Sequence, residues 1–192
     1  ISRCAINATT GALETCNNVI TGLTTPTGVE LYTFSTGSLT GSYVYYAQAG
    51  GVNNITYCRV NPSTGALESC QLTATGGATI ASPEAIVLNP AGTFAYITSA
   101  GTGNVVYCAV NQTTGELEDC NDTANGLVNE NTRSGVTFSP NGQQTYFGSF
   151  DDDVVYFCNV LQNGSFSGCT NSGASPLNNP SGVALVHYPT IN

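Results

Sequence analysis

Residues 83–120 read PEAIVLNPAGTFAYITSAGTGNVVYCAVNQTTGELEDC, and the architecture is decided here. Ile86 and Leu88 alternate with their neighbours as residues of a strand do. Asn89-Pro90-Ala91-Gly92 then supplies turn chemistry. Phe94 to Ile97 read as a second strand and Val105 to Cys108 as a third. A turn at Thr113-Thr114-Gly115 leads into a fourth strand ending at Cys120. Four short strands with no helical period amount to one blade of a propeller.

The same order recurs along the chain. Cys4-AINATTGALET-Cys16, Cys58-RVNPSTGALES-Cys70, Cys108-AVNQTTGELED-Cys120 and Cys158-NVLQNGSFSG-Cys169 align, and their first cysteines lie 54, 50 and 50 residues apart. A second motif opens each unit in the same register: Pro26-TGVEL, Pro83-EAIVL, Arg133-SGVTF and Pro180-SGVAL. Two motifs in one register with a period near 50 mean a stacked or radial repeat. We label the strands of a unit A to D. Residues 26–70, 83–120 and 133–169 each hold A-B-C-D. Residues 1–16 hold C and D of a further unit, and 180–192 hold its strand A.

The expected fold is therefore an all-β, small four-bladed β-propeller forming a single domain over residues 1–192. It has about 50 residues per blade, and both chain termini contribute to the fourth blade. Strand B of that blade is missing or reduced to the last few residues. Either the blade has three strands, or the sequence is an excerpt (Ile1 reads as the start of a processed or excerpted chain), or a neighbouring molecule adds a strand. A head-to-tail contact of that last kind makes rings or filaments.

Eight cysteines at regular places point to oxidised pairs in an extracellular compartment. Zinc sites usually show C-x2-4-C spacings, shorter than any gap here. Folding Cys108 onto Cys120 about the Thr-Thr-Gly turn puts them on facing ends of strands C and D, within disulfide reach. One bridge per outer hairpin follows: Cys4–Cys16, Cys58–Cys70, Cys108–Cys120 and Cys158–Cys169. Pairing between blades is the alternative.

The stretches Asn89-Pro-Ala-Gly-Thr-Phe-Ala-Tyr-Ile-Thr and Ser139-Pro-Asn-Gly-Gln-Gln-Thr-Tyr-Phe lead through a strand into Val110-Asn-Gln-Thr-Thr-Gly or its equivalent. This pattern resembles the YVTN-type propeller repeats of surface-layer proteins and lactonase-like propellers, with added cysteine pairs. The resemblance implies a propeller fold and a surface location, and by itself no chemistry.

Charged residues make up 8% of the chain, and the formal charge is −9. The only cations besides His187 and the terminus are Arg3, Arg59 and Arg133, too dispersed to neutralise a phosphate backbone. Nucleic acid and anionic membrane surfaces are excluded as partners on that ground. No apolar run is long enough to span a bilayer as a helix.

Candidate sites are few. His187 is the single histidine, and a triad or metal cluster needs several convergent donors; no nucleophile elbow is present. The reading is therefore that the chain is not an enzyme. A lactonase-like hydrolase ranks last, for want of His and acidic ligands around a central metal. Asp151, Asp152 and Asp153 form the one acidic run, a candidate Ca2+ site or a solvated loop. Arg133 stands where its sister repeats have proline and would meet an anionic ligand or pair with Glu84 or Glu130. Five asparagines head N-x-S/T sequons: Asn7, Asn54, Asn111, Asn121 and Asn163. They are candidate glycosylation sites, or a by-product of a composition rich in Asn and Thr. The expected function is a non-catalytic extracellular or cell-surface glycoprotein module for adhesion, coating or self-assembly. Its partners would be copies of itself or another extracellular protein. The alternative is a carbohydrate-binding propeller using Tyr45, Tyr46 and Tyr57, and no other cofactor is expected.

Overall fold

The computed structural model describes residues 1–35, 37–49, 54–74, 76–123, 135–150, 152–174 and 176–185. Among these residues, fourteen strands form four antiparallel sheets. The N-terminal hairpin pairs β1 (Ser2–Ile6) with β2 (Leu13–Asn18). The first blade is β3 (Pro26–Phe34), β4 (Gly41–Gln48), β5 (Asn54–Val60) and β6 (Leu67–Thr73). The second is β7 (Pro83–Leu88), β8 (Phe94–Ser99), β9 (Asn104–Val110) and β10 (Leu117–Thr123). The third is β11 (Val136–Phe138), β12 (Gln144–Ser149), β13 (Val154–Val160) and β14 (Phe166–Asn171). Each blade is a meander in chain order, as short turns between sequential strands require. Of the C-terminal stretch, residues 180–185 are not in a strand, and His187 lies outside the described residues.

All four cysteine pairs close within their own hairpin: Cys4–Cys16, Cys58–Cys70, Cys108–Cys120 and Cys158–Cys169. Each pair sits at a β-bulge, where the register of strands C and D slips beside the first cysteine. The residue before each second cysteine takes positive φ: Thr15 at 50°, Ser69 at 52°, Asp119 at 51° and Gly168 at 58°. That left-handed residue is the inserted one, and it turns the second cysteine to face the first. Only Gly168 announces this in its residue type.

The blades stack face on face, and the core lies between them. One cluster joins Tyr45, Ala47, Ile55 and Tyr57 of the first blade to Ile86, Leu88, Ile97 and Val106 of the second. Another joins Tyr96 and Val105 of the second to Val136, Phe147 and Cys158 of the third. We call the side carrying Ile86 and Leu88 the front of a blade and the side carrying Tyr45 or Tyr96 its back. Each back thus covers the next front. Tyr45 and Tyr96 are fully buried, and burial pushes both phenols well above their ordinary pKa. Their hydroxyls must therefore find acceptors as neutral donors. Tyr45 donates to the Gly115 carbonyl at 2.7 Å and Tyr96 to the Gly164 carbonyl at 2.8 Å, each reaching the outer turn of the following blade.

Candidate functional site

Where the blades begin, the opening motifs converge. Gly28 of β3 meets Ala85 of β7 so closely that a Cβ at Gly28 would lie 2.8 Å from the Ala85 Cα. Gly135 donates its N–H to the Ser181 carbonyl at 3.2 Å, continuing the same contact toward the C-terminal segment. The Thr27 hydroxyl donates to the Pro83 carbonyl. Small residues at the third position of the motif let successive strands A crowd around one axis. Beside this contact lies a cleft of about 540 Å³ lined by Thr25, Thr27, Ala49, Glu84, Ala85, Gly135 and Ser181. Hydroxyls and one carboxylate face it.

A second concavity lies on the front of the first blade. It measures about 310 Å³ and is lined by Ile1, Val19, Val29, Leu31, Val44, Val60 and Leu67, among others. Val29 and Leu31 are 57% and 62% exposed, although their counterparts Ile86 and Leu88 are 5% and 4% exposed. The cause is the two-stranded hairpin beside them. It covers the outer half of the front, through Ile1 and Val19, and leaves the inner half open. Arg3 fills part of the role of a strand-B tyrosine: its guanidinium donates to the Thr64 carbonyl and lies over Gly65, the outer turn of the first blade.

The residues singled out from sequence are dispersed. Asp152 accepts hydrogen bonds from Ser149 at 2.8 Å and Tyr156 at 3.4 Å, and Asp153 accepts the Asn179 N–H at 2.7 Å. Burial first, then the Asp152 charge, raises the Tyr156 pKa. Asp151 and Arg133 lie outside the described residues, and among the described ones no three His, Cys, Asp or Glu converge as metal ligands. Tyr45, Tyr46 and Tyr57 are buried, which removes them as sugar contacts. Central strands of stacked blades are covered on both faces, so their aromatics pack instead of binding.

The sequon asparagines differ in setting. Asn7 and Asn111 form Asx turns with the two backbone N–H groups that follow, and their amides donate to Glu14 and Glu118 across the hairpin. Asn61, which heads no sequon, does the same with Glu68. Asn54 is half-buried and accepts from Gln48 at 3.1 Å. Asn121 and Asn163 are exposed at the outer edge. Sequence reasoning missed the tyrosine-to-glycine latches, whose signal was a tyrosine at one fixed place in strand B and a glycine in every outer turn.

Fold and cleft define a disulfide-stapled β-propeller with an axial opening, and the bridges indicate an oxidising environment. The sequence matches the family described as "Lactonase, 7-bladed beta-propeller" over residues 1–138, and the chain belongs to that family. This corrects the reading that the chain is not an enzyme, which rested on a missing histidine–carboxylate cluster; a member of a lactonase family cannot be set aside as non-catalytic on that ground. Among curated proteins, none matches. Solved structures share the fold. A "putative 6-phosphogluconolactonase" from Bacteroides uniformis ATCC 8492 is 20% identical with TM-score 0.62, over 88% of this chain and 51% of that one. A functionally unknown protein from Desulfotomaculum acetoxidans DSM 771 is 20% identical with TM-score 0.65, over 97% and 54%. A chain of the nidogen/laminin complex is 12% identical with TM-score 0.67, over 94% and 60%. The chain thus spans about half the length of these structures. No helix among the described residues is long and apolar enough to cross a membrane.

Proposed function

We propose that this chain is an extracellular propeller module whose work is assembly and adhesion, with the open front of its first blade as the docking face. The observation that carries this reading is the exposure of Val29 and Leu31, two apolar residues whose counterparts Ile86 and Leu88 are buried in the second blade. Adjacent apolar exposure of this kind marks an interaction surface. The inner edge of β1, which pairs with no further strand among the described residues, adds backbone groups able to accept a strand. The nidogen/laminin complex, a protein–protein assembly by its name, contains a propeller of similar fold. Where a eukaryotic host makes the protein, glycans are expected on Asn121 and Asn163. Light scattering after size exclusion, across a wide concentration range, tests the reading. Mass rising with concentration supports it, and a monomer at every concentration sinks it.

The axial cleft favours a second reading. The hydroxyls of Thr25, Thr27 and Ser181 with the Glu84 carboxylate offer the hydrogen-bonding groups that a polyhydroxylated ligand needs. Two of the similar structures bear the name "putative 6-phosphogluconolactonase". A sugar-acid lactone is the ligand class, and Glu84 is the group able to take a proton from an attacking water. Calorimetry with gluconolactone, together with a hydrolysis assay, on the chain and on Glu84→Gln decides it. Neither heat nor hydrolysis with the unsubstituted chain overturns this reading.

A further inference from the structure

The outer edge of the second blade is strapped, and that of the first is bare. Ala74 donates its N–H to the Leu117 carbonyl at 3.0 Å, Ala78 donates to the Cys120 carbonyl at 3.0 Å, and Gly76 pairs with Cys120 in parallel. The Thr73 hydroxyl accepts the Leu117 N–H at 2.6 Å. These residues line β10 as a further strand would, and Cys120 is 1% exposed as a result. Gly76 lies so close to the Cys120 backbone that no side chain fits there.

Strand β6 offers the same receptor. LESCQLT over Leu67–Thr73 matches LEDCNDT over Leu117–Thr123, and Ser69 takes the same left-handed bulge as Asp119. Yet among the described residues no segment pairs with the outer edge of β6, and Cys70 is exposed. The preceding connection explains the difference. Pro83 follows Cys70 by 13 places, whereas Pro26 follows Cys16 by only 10. Three residues span about 10 Å of extended chain, so the shorter connection crosses to strand A without lying along β6. Val19, in the place of Thr73, has no hydroxyl, and the Ile20 N–H, in the place of Ala74, donates to the Ile1 carbonyl at 3.3 Å. Between β2 and β6 remains a groove of about 320 Å³ lined by Asn17, Asn18, Val19, Thr64, Leu67 and Arg3, whose guanidinium donates to the Thr64 carbonyl.

A second departure sits on the same strand. The position two past the second cysteine is exposed in all four units and polar in three of them, as Asn18, Asp122 and Asn171. In the first blade it is Leu72, 67% exposed. The bare edge therefore carries an apolar side chain that the other units lack.

We propose that the outer edge of β6 takes up an extended peptide of a partner protein as an added parallel strand, in the place that the strap fills on β10. The site defines the peptide at three positions. Running parallel to β6, it meets Arg3 first, where an acidic residue is complementary. It then crosses Cys70 where the strap has Gly76, so glycine is required. It ends over Leu72, which an apolar residue covers. Main-chain bonds supply affinity and these three positions supply selectivity. The surface is separate from Val29 and Leu31, so the proposal goes beyond the assembly reading and stands apart from it.

Fluorescence anisotropy of the labelled peptide TDTGGLTI, titrated with the chain, tests this. The peptide copies residues 73–80 with aspartate and leucine in place of Ala74 and Ala78. Saturable binding is expected, with amide hydrogen exchange slowed at residues 67–72. A peptide with valine for its first glycine should lose binding altogether. Leu72→Asp gives β6 the residue of β10 at a position in solvent, so the fold is kept. It should weaken binding roughly 5- to 30-fold, the range of covering an exposed leucine. Asparagine for the peptide's aspartate should weaken binding roughly two- to fivefold, an effect that fades with salt. No saturable binding up to about 1 mM chain overturns the proposal. Binding that Leu72→Asp and the valine peptide both leave unchanged overturns it too. A chain that is monomeric at every concentration yet binds the peptide removes the assembly reading and keeps this one.

Discussion

Strands β3 and β7 open on the same motif, pair with equivalent partners (β4 and β8) and turn equivalent residues to their fronts, yet they end differently. Ile86 and Leu88 are sealed beneath Tyr45 and Ala47 of the blade before, whereas Val29 and Leu31 lie beside a hairpin that has only two strands among the described residues. Local sequence is equal to the task in both. Burial in a stacked repeat is therefore conferred by the neighbour. On the first blade Val29 and Leu31 keep the apolar identity that Ile86 and Leu88 have in the second. That is the physical ground for reading the face as a contact.

The sharpest way to break the comparison is through the bridges. Cys108 and Cys120 are buried between blades, whereas Cys16 is exposed on the outermost hairpin and Cys4 only half-covered. Both loops close over a separation of 12 residues, so the chain-entropy benefit is equal at about 3 kcal/mol. What differs is the coupling of that benefit to the core. Removing the inner bridge by Cys108→Ala with Cys120→Ala should cost about 3–5 kcal/mol of global stability. Removing the outer one by Cys4→Ala with Cys16→Ala should let the hairpin open locally and shift the main transition by less than about 1 kcal/mol. Urea unfolding followed by tyrosine fluorescence compares them, and equal losses would show the hairpin to be as integral as an internal blade.

A smaller effect comes from the paired apolar residues themselves. Ile86→Ala leaves a cavity between two blades and should cost about 2–4 kcal/mol. Val29→Ala removes surface already in water and should cost less than about 1 kcal/mol in a monomer. Under conditions where the chain associates, Val29→Ala should instead lower assembly. A Val29 variant as destabilised as the Ile86 variant in dilute solution would mean that the first front is covered within the chain.

Much of this was legible in the residues. The period, the four strands per unit and the hairpin pairing of all eight cysteines followed from spacing, because strand alternation and turn chemistry are local. What was not legible depends on stacking. Tyr45, Tyr46 and Tyr57 invited a sugar-binding reading because alternation alone does not say whether both faces of a strand are covered. Thr15, Ser69 and Asp119 gave no sign of left-handed backbone, since only the bulge at the cysteine imposes it. Arg3 in the place of a packing aromatic was visible in the alignment, but its meaning emerged only once it lay over the Gly65 turn. Family membership overturned the reading that no enzyme was present, because one histidine says little when the relevant opening is formed by several blades.

The smallest expected effect concerns charge at the joint between the first and second blades. Glu30 lies on the back of β3, facing the backbone of Leu88 in the second blade, and burial raises its pKa while the Leu88 backbone hydrogen bond offsets part of that rise. A carboxyl with a raised folded-state pKa favours the protonated native form. Its contribution is fully present below the unfolded value of 4.5 and is lost as pH rises through the folded value. Glu30→Gln keeps the shape and removes the titration, so the variant should gain stability relative to the parent as pH climbs from 4.5 toward neutrality. The effect should be modest, since the side chain is only partly withdrawn from water and solvent screens its charge. Melting temperatures of both proteins across that range, at fixed ionic strength, measure it. A constant difference at every pH would show that Glu30 acts through packing alone, and that the joint between the first and second blades carries no buried charge penalty.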